Sequence, residues 1–162
     1  MITKGTRDVN RHNWARKIPA VLLLAVVLTS CGDESPGSVT NKRLSDQGPC
    51  DLVKVEDLEK IFGPADRDDP PRQEGPQCFY IFEKDAPAIG RRADAARHGT
   101  SFEIDGVAAK KYERNNVCAV DVWLVPNDIN QQFGVVTGEM DGKGSCDVGI
   151  EVARLILTKL PG

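Results

Sequence analysis

The sequence predicts an α+β domain: an antiparallel sheet of about four to five strands packed against two helices and stapled by two disulfides. Three observations lead there. Apolar residues recur at helical spacing near both ends of residues 50–162. The stretch between them carries strand-like alternation punctuated by turn residues. Four cysteines, Cys50, Cys78, Cys118 and Cys146, remain once Cys31 is set apart.

Cys31 belongs to the front end. Lys4, Arg7, Arg11, Arg16 and Lys17 precede an apolar segment from Ile18 to Leu28, the layout of a secretory signal over residues 1–30. That segment is about half the roughly 20 residues a membrane-spanning helix needs. Leu28-Thr29-Ser30-Cys31 resembles the lipobox of bacterial lipoproteins. The resemblance implies a diacylglyceryl group on the Cys31 thiol, cleavage before Cys31 and acylation of the new amino terminus. Two or three chains hold durably where one holds marginally. The expected partner of Cys31 is therefore the membrane, and the expected address is the extracytoplasmic face of the cell membrane. Arg16 is followed by Lys17 rather than by a second arginine, so general secretion is expected.

An exported chain meets an oxidising compartment, where an even set of four cysteines defaults to two disulfides. Zinc ligands come in C-x2-4-C pairs, whereas these cysteines lie 28, 40 and 28 positions apart, so no metal is expected. Three connectivities are open. Cys50 with Cys78 and Cys118 with Cys146 is favoured, because each bond ties a helix start to a neighbouring strand.

Gly32 to Pro49 is mostly Gly, Ser, Pro, Asp, Asn and Lys, with Val39 and Leu44 its only aliphatic residues. Residues 31–49 therefore read as the lipidated cysteine and a flexible tether, with a reach of roughly 20 to 25 Å. Residues 50–162 form a single domain, long enough for one modest core. The first thirty residues carry five Lys or Arg against Asp8, so their removal shifts the net charge from −3 to −7. Such an acidic domain excludes nucleic acid as a partner and is repelled by anionic lipid, leaving the anchoring to the acyl chains.

Val55, Leu58, Ile61 and Phe62 predict a short amphipathic helix stopped by Gly63-Pro64. A loop follows. Its acidic trio Asp66, Asp68 and Asp69 lacks the glycine and closing glutamate of an EF-hand loop. Gln77 to Glu83, apolar and aromatic through its middle, reads as a central strand covered on both faces. Thr100 to Ile104 is a strand turning at Asp105-Gly106 into a second one. Cys118, Val120, Val122 and Leu124 share one face, while Ala119, Asp121, Trp123 and Val125 share a partly buried one. Gln132 to Thr137 is a further strand. The last element is a helix with Ser145 as N-cap and an apolar stripe through Gly149, Ile150, Ala153, Ile156 and Leu160. Gly149 costs about 1 kcal/mol against alanine there, so close packing on the sheet is its expected reason.

Pro49-Cys50-Asp51-Leu52 opening a short helix, a second cysteine before an aromatic strand and a third in a Val-rich strand form a pattern, closed by Cys146, Ala153, Leu160 and Pro161. It resembles actinobacterial, mycobacterial- or nocardial-type, envelope lipoproteins that share a four-cysteine domain of unknown function. Their marks are PC-x-L and a terminal C-x6-A-x6-LP, and the resemblance covers most of residues 48–161. Members carry a Thr or Ser cap and a Pro before the first helix where this chain has Val53-Lys54-Val55. The resemblance implies an envelope location and no reaction.

His98 is the only histidine after the signal, with no recognisable nucleophile motif to partner it. Glu56 with Asp57, Glu83 with Asp85, and Asp121 fit solvated faces, and no catalytic residue is assigned. Tyr80 and Trp123 fit core better than a ligand groove. No cofactor is expected. The reading is a noncatalytic binding, sensor or interaction module, engaging an envelope protein or small ligand. The alternative is a carrier of a small or hydrophobic ligand, which needs an apolar pocket between sheet and helices. A weaker one is a carboxylate-based envelope enzyme, which needs two carboxyls about 5 to 9 Å apart across a cleft.

Overall fold

A computed structural model of the chain describes residues 40–91, 95–140 and 143–162. The signal and the lipobox residues Leu28, Thr29, Ser30 and Cys31 lie outside the described residues.

The domain is one antiparallel sheet with two helices and two disulfides. The sheet has seven strands rather than the expected four to five. In chain order they are β1 (Arg72–Glu74), β2 (Gln77–Phe79), β3 (Ala88–Arg91), β4 (Thr100–Ile104), β5 (Val107–Arg114), β6 (Val117–Trp123) and β7 (Gln132–Gly138). Their spatial order is β1-β2-β3-β7-β6-β5-β4. β1 and β3 are three and four residues long and lack a period-2 pattern, so only their neighbours declare them strands. The expected central strand over 77–83 is also corrected: β2 ends at Phe79 and lies second from an edge.

β4, β5 and β6 form a meander through two tight turns. Asp105 and Gly106 have φ of 52° and 79°, and Asn115 and Asn116 of 52° and 61°. Both turns place two successive residues in the left-handed region, the twist that joins hairpin strands without splaying them.

Helix α1 (Val55–Phe62) buries Leu58 and Phe62 completely, and the Phe62 ring stacks on Phe82 with centroids 5.1 Å apart. Gly63 ends it at φ 81°. Helix α2 (Ser145–Lys159) lies across the middle of the sheet, with Val148, Val152, Ala153 and Ile156 fully buried in one core with Val120, Val122, Phe133 and Val135. A Cβ at Gly149 would stand 3.1 Å from Val120 Cγ2 and 3.0 Å from Thr137 Oγ1, so the glycine does mark close packing. Its N-cap, however, is Gly144. Ser145 lies one residue inside, buried, where its hydroxyl donates to Glu113 Oε1 at 2.7 Å and its carbonyl accepts from Thr137 at 2.8 Å.

Asp57 joins the two helices, holding Lys159 and Lys60 at 2.8 Å each. The hydrogen bond from Lys159, and then that from Lys60, draws its carboxyl down to about 2 against a smaller opposing effect of burial.

The last part of the expected tether is seated on the domain. Leu44 is 5% exposed, its N–H donates to Gln131 Oε1 at 2.8 Å, and Arg43 N–H donates to the Pro161 carbonyl at 3.2 Å. A single leucine in a polar stretch carries no periodicity, which is why composition alone assigned it to the tether.

Candidate functional site

Strand alternation gives the sheet two unlike faces. Cys118, Val120 and Val122 point toward α2. The other face holds Val117, Ala119, Asp121 and Trp123 from β6. Across it runs an apolar cross-strand row: Phe79 on β2, Ala88 on β3, Val136 on β7, Ala119 on β6 and Tyr112 on β5. Phe79 and Val136 are half-buried, while Tyr112 and Val117 keep 40% and 45% of their surface exposed. The neighbouring row, Gln77, Gly90, Gly134, Asp121, Lys110 and Ser101, places two glycines opposite each other. Both glycines are buried, and a Cβ at Gly90 would stand 3.0 Å from Gln77 Cγ, so the chain packs closely over this point.

The segment over residues 95–99 caps one end of this face. Ala96 is fully buried and its N–H donates to Asp121 Oδ2 at 2.8 Å, while Gly99 N–H donates to the Ala96 carbonyl at 2.8 Å. A Cβ at Gly99 would overlap the Lys111 carbonyl, so only glycine lets the segment lie this close to β5. Asp121 is consequently 1% exposed. The solvated role expected for it is corrected: it holds the 95–99 segment against the sheet. Sequence patterning could not find this, because the cover comes from residues more than twenty positions away. Lys110 pairs with Asp121 in register and carries its ammonium 5.9 Å from the Trp123 ring centroid.

The other candidate residues are scattered. His98 is exposed within the 95–99 segment. Asp85 accepts from Gly138 N–H at 2.9 Å and Ala86 N–H at 2.7 Å, and Glu83 and Glu56 are exposed. Asp66 Oδ1 accepts from Asp68 N–H at 2.9 Å, and Asp69 faces Arg72 at 3.7 Å. Among the described residues no group of three or more His, Cys, Asp or Glu is placed to hold a metal ion. No described helix is long and apolar enough to cross a membrane.

The disulfides are Cys50–Cys78 and Cys118–Cys146, the pairing favoured from the sequence. The first ties the turn at Pro49–Asp51 to β2, and the second ties β6 to the first turn of α2. Beside the first, Tyr80 is 1% exposed and its hydroxyl lies 3.2 Å from the Val53 carbonyl and 3.3 Å from that of Cys50. It is core, as expected. Burial first, and the charge of Asp51 second, push its phenol up to about 12 from 10.0.

A phenol held neutral by the fold loses stability for the folded state once the unfolded chain can ionise. This contribution is intact below pH 10 and disappears as pH rises through about 12. Tyr80→Phe is therefore expected to be less stable at pH 7 by about 1 kcal/mol, from the lost hydrogen bond. It is also expected to show a flatter alkaline limb between pH 10 and 12. Urea melts of both proteins across that range check the prediction.

Among the described residues, surface clefts include one of ≈ 350 Å³ between Thr40–Lys42, the Asp105-Gly106 turn and Leu157-Thr158. Others of ≈ 210 and ≈ 180 Å³ lie beside Pro70-Pro71 and beside Met140. The interface between α2 and the sheet, where a carrier needs its pocket, is filled by the fully buried side chains described above.

Comparison with known protein families, with characterised proteins and with solved structures finds no match.

Proposed function

We propose that the chain is an envelope lipoprotein of the actinobacterial four-cysteine type, anchored through lipid on Cys31, whose domain is a noncatalytic binding module. The observation that carries the binding role is the asymmetry of the sheet. One face buries the core under α2, while the other keeps Tyr112 and Val117 exposed beside half-buried Phe79 and Val136. Exposed apolar residues gathered on one face of a domain are the usual ground of protein contacts.

The address rests on Leu28-Thr29-Ser30-Cys31, and the two disulfides accord with an oxidising compartment. Eleven residues separate Cys31 from Arg43, whose N–H bonds the Pro161 carbonyl near the end of the domain. Fully extended, they span at most about 40 Å. The domain thus works close to the membrane surface, within reach of partners embedded there.

Cys31→Ser is expected to move the protein from the membrane pellet to the soluble fraction while leaving both disulfides formed. Fractionation of cells expressing each form, followed by mass analysis, checks this. Native mass spectrometry of the full-length protein, gently extracted from its own envelope, tests the binding role. A copurifying polypeptide that is lost in Tyr112→Asp supports it. A small molecule that leaves on denaturation overturns it in favour of a carrier.

A further inference from the structure

The two edges of the sheet are built differently. β1 is three residues long, fully exposed, charged at Arg72 and Glu74, and preceded by Pro70-Pro71. Short length, charge and proline are the devices that keep an edge from pairing with another chain. β4 is longer and its one charged residue is Glu103. It runs five residues, Thr-Ser-Phe-Glu-Ile, with no proline, lysine or bulge, and among the described residues it pairs only with β5.

The hairpin geometry tells which backbone groups of β4 face outward. The two-residue turn at Asp105-Gly106 makes Ile104 and Val107 a hydrogen-bonded pair, and alternation makes Phe102–Ala109 and Thr100–Lys111 the next ones. Ser101 and Glu103 therefore turn their N–H and C=O groups away from the sheet. An antiparallel partner must match that spacing, and a second β4 does. With the two-fold axis at Phe102, Ser101 of each copy lies opposite Glu103 of the other, giving two hydrogen-bonded pairs. Phe102 meets its own counterpart in the close, non-hydrogen-bonded position between them.

Side chains agree with this register. Phe102 is apolar and only half-buried, sitting at the very edge of the core. Its symmetry mate would cover it. On the opposite face the cross-strand row Asp121, Lys110, Ser101 ends at β4 with a small side chain. The second copy extends the row with Glu103, which meets the small Ser101 rather than a like charge. Centring the axis on Glu103 instead would set two carboxylates face to face, a repulsive pairing.

We propose that β4 is the interface of a symmetric dimer, in which two copies of the chain join their sheets edge to edge about Phe102. The dimer is a continuous fourteen-stranded sheet with both α2 helices on one side. Neither the lipid anchor nor the apolar row of the open face is needed for it.

A covalent trap tests both the contact and its register. Across a non-hydrogen-bonded antiparallel pair the Cα atoms stand about 4.5 Å apart, within disulfide range. Full-length Phe102→Cys, purified under mild oxidation, is expected to run as a reducible dimer whose cross-linked peptide joins position 102 to position 102. Ser101→Cys alone and Glu103→Cys alone are expected to stay monomeric, whereas their mixture cross-links. These two positions are exposed, so the mixture keeps the test decisive if loss of Phe102 disturbs folding. Ser101→Pro removes an outward N–H without touching a bond to β5, and is expected to abolish the cross-link in the Phe102→Cys chain. The proposal is overturned if no variant cross-links, or if Ser101→Cys alone dimerises as well as Phe102→Cys. It is equally overturned if a different polypeptide or another segment of this chain is trapped on β4.

Discussion

Reducing both disulfides is expected to unfold the domain or to leave it only marginally stable. Each bond closes a loop of 28 positions, and the loops do not overlap, since one runs from Cys50 to Cys78 and the other from Cys118 to Cys146. In the chain-entropy model a loop of this size contributes about 3 to 4 kcal/mol. Two independent loops then contribute about 6 to 8 kcal/mol, comparable with the whole stability of an ordinary domain. Urea melts with and without a thiol reductant measure the effect. The reduced protein is expected to lose its cooperative transition or to shift it to a far lower midpoint. A shift worth less than about 1 kcal/mol would mean that the core carries the fold without the bonds.

Phe62→Ala comes next in size. Its ring is fully buried and stacked on Phe82, and it closes an eight-residue helix too short to persist by itself in water. Emptying that site is expected to cost about 3 to 5 kcal/mol and to lower the melting temperature by ~10 °C or more. Amide exchange should accelerate first over Val55–Phe62. Glu56→Gln, an exposed change on the same helix, is expected to stay within about 0.5 kcal/mol of the parent. Equal losses from both would show that α1 is held by something other than its buried face.

What the sequence disclosed follows from how local each signal is. α1 and α2 announce themselves through spacing and terminators, and β4 through a strand pattern ended by Asp105-Gly106. Gly149 is legible because a glycine inside a helix needs a reason, and the approach of Val120 and Thr137 supplies it. Asn115-Asn116 carries the same turn chemistry as Asp105-Gly106 and marks the β5–β6 boundary, but asparagine signals the left-handed conformation less loudly than glycine. β1 is Arg-Gln-Glu, polar at every position, and exists because Gly75 at φ 60° folds it back onto β2. Beyond Phe79 the alternation persists, with Tyr80 and Phe82 buried and Tyr80 N–H donating to the Pro87 carbonyl, but the regular ladder ends and Phe82 keeps only an isolated bridge to Ala65.

The site was legible only in pieces. Alternation placed Ala119, Asp121 and Trp123 on one face, but not the apolar row that joins five strands there. That row needs a strand order, β2-β3-β7-β6-β5, which no local pattern encodes. Asp121 read as solvated because a carboxylate on a strand usually is. Its burial depends on Gly99 and Ala96 meeting β5 and β6 from a distant stretch of chain.

An intact mass of the protein taken from its own membrane is the most direct check on where and how this domain is displayed. An anchored and oxidised lipoprotein gives a chain beginning at Cys31, heavier by a diacylglyceryl group and an amino-terminal acyl chain, and lighter by the four hydrogens of two disulfides. A chain that keeps residues 1–30, or begins elsewhere without lipid, would contradict the membrane anchoring from which the proposed function starts.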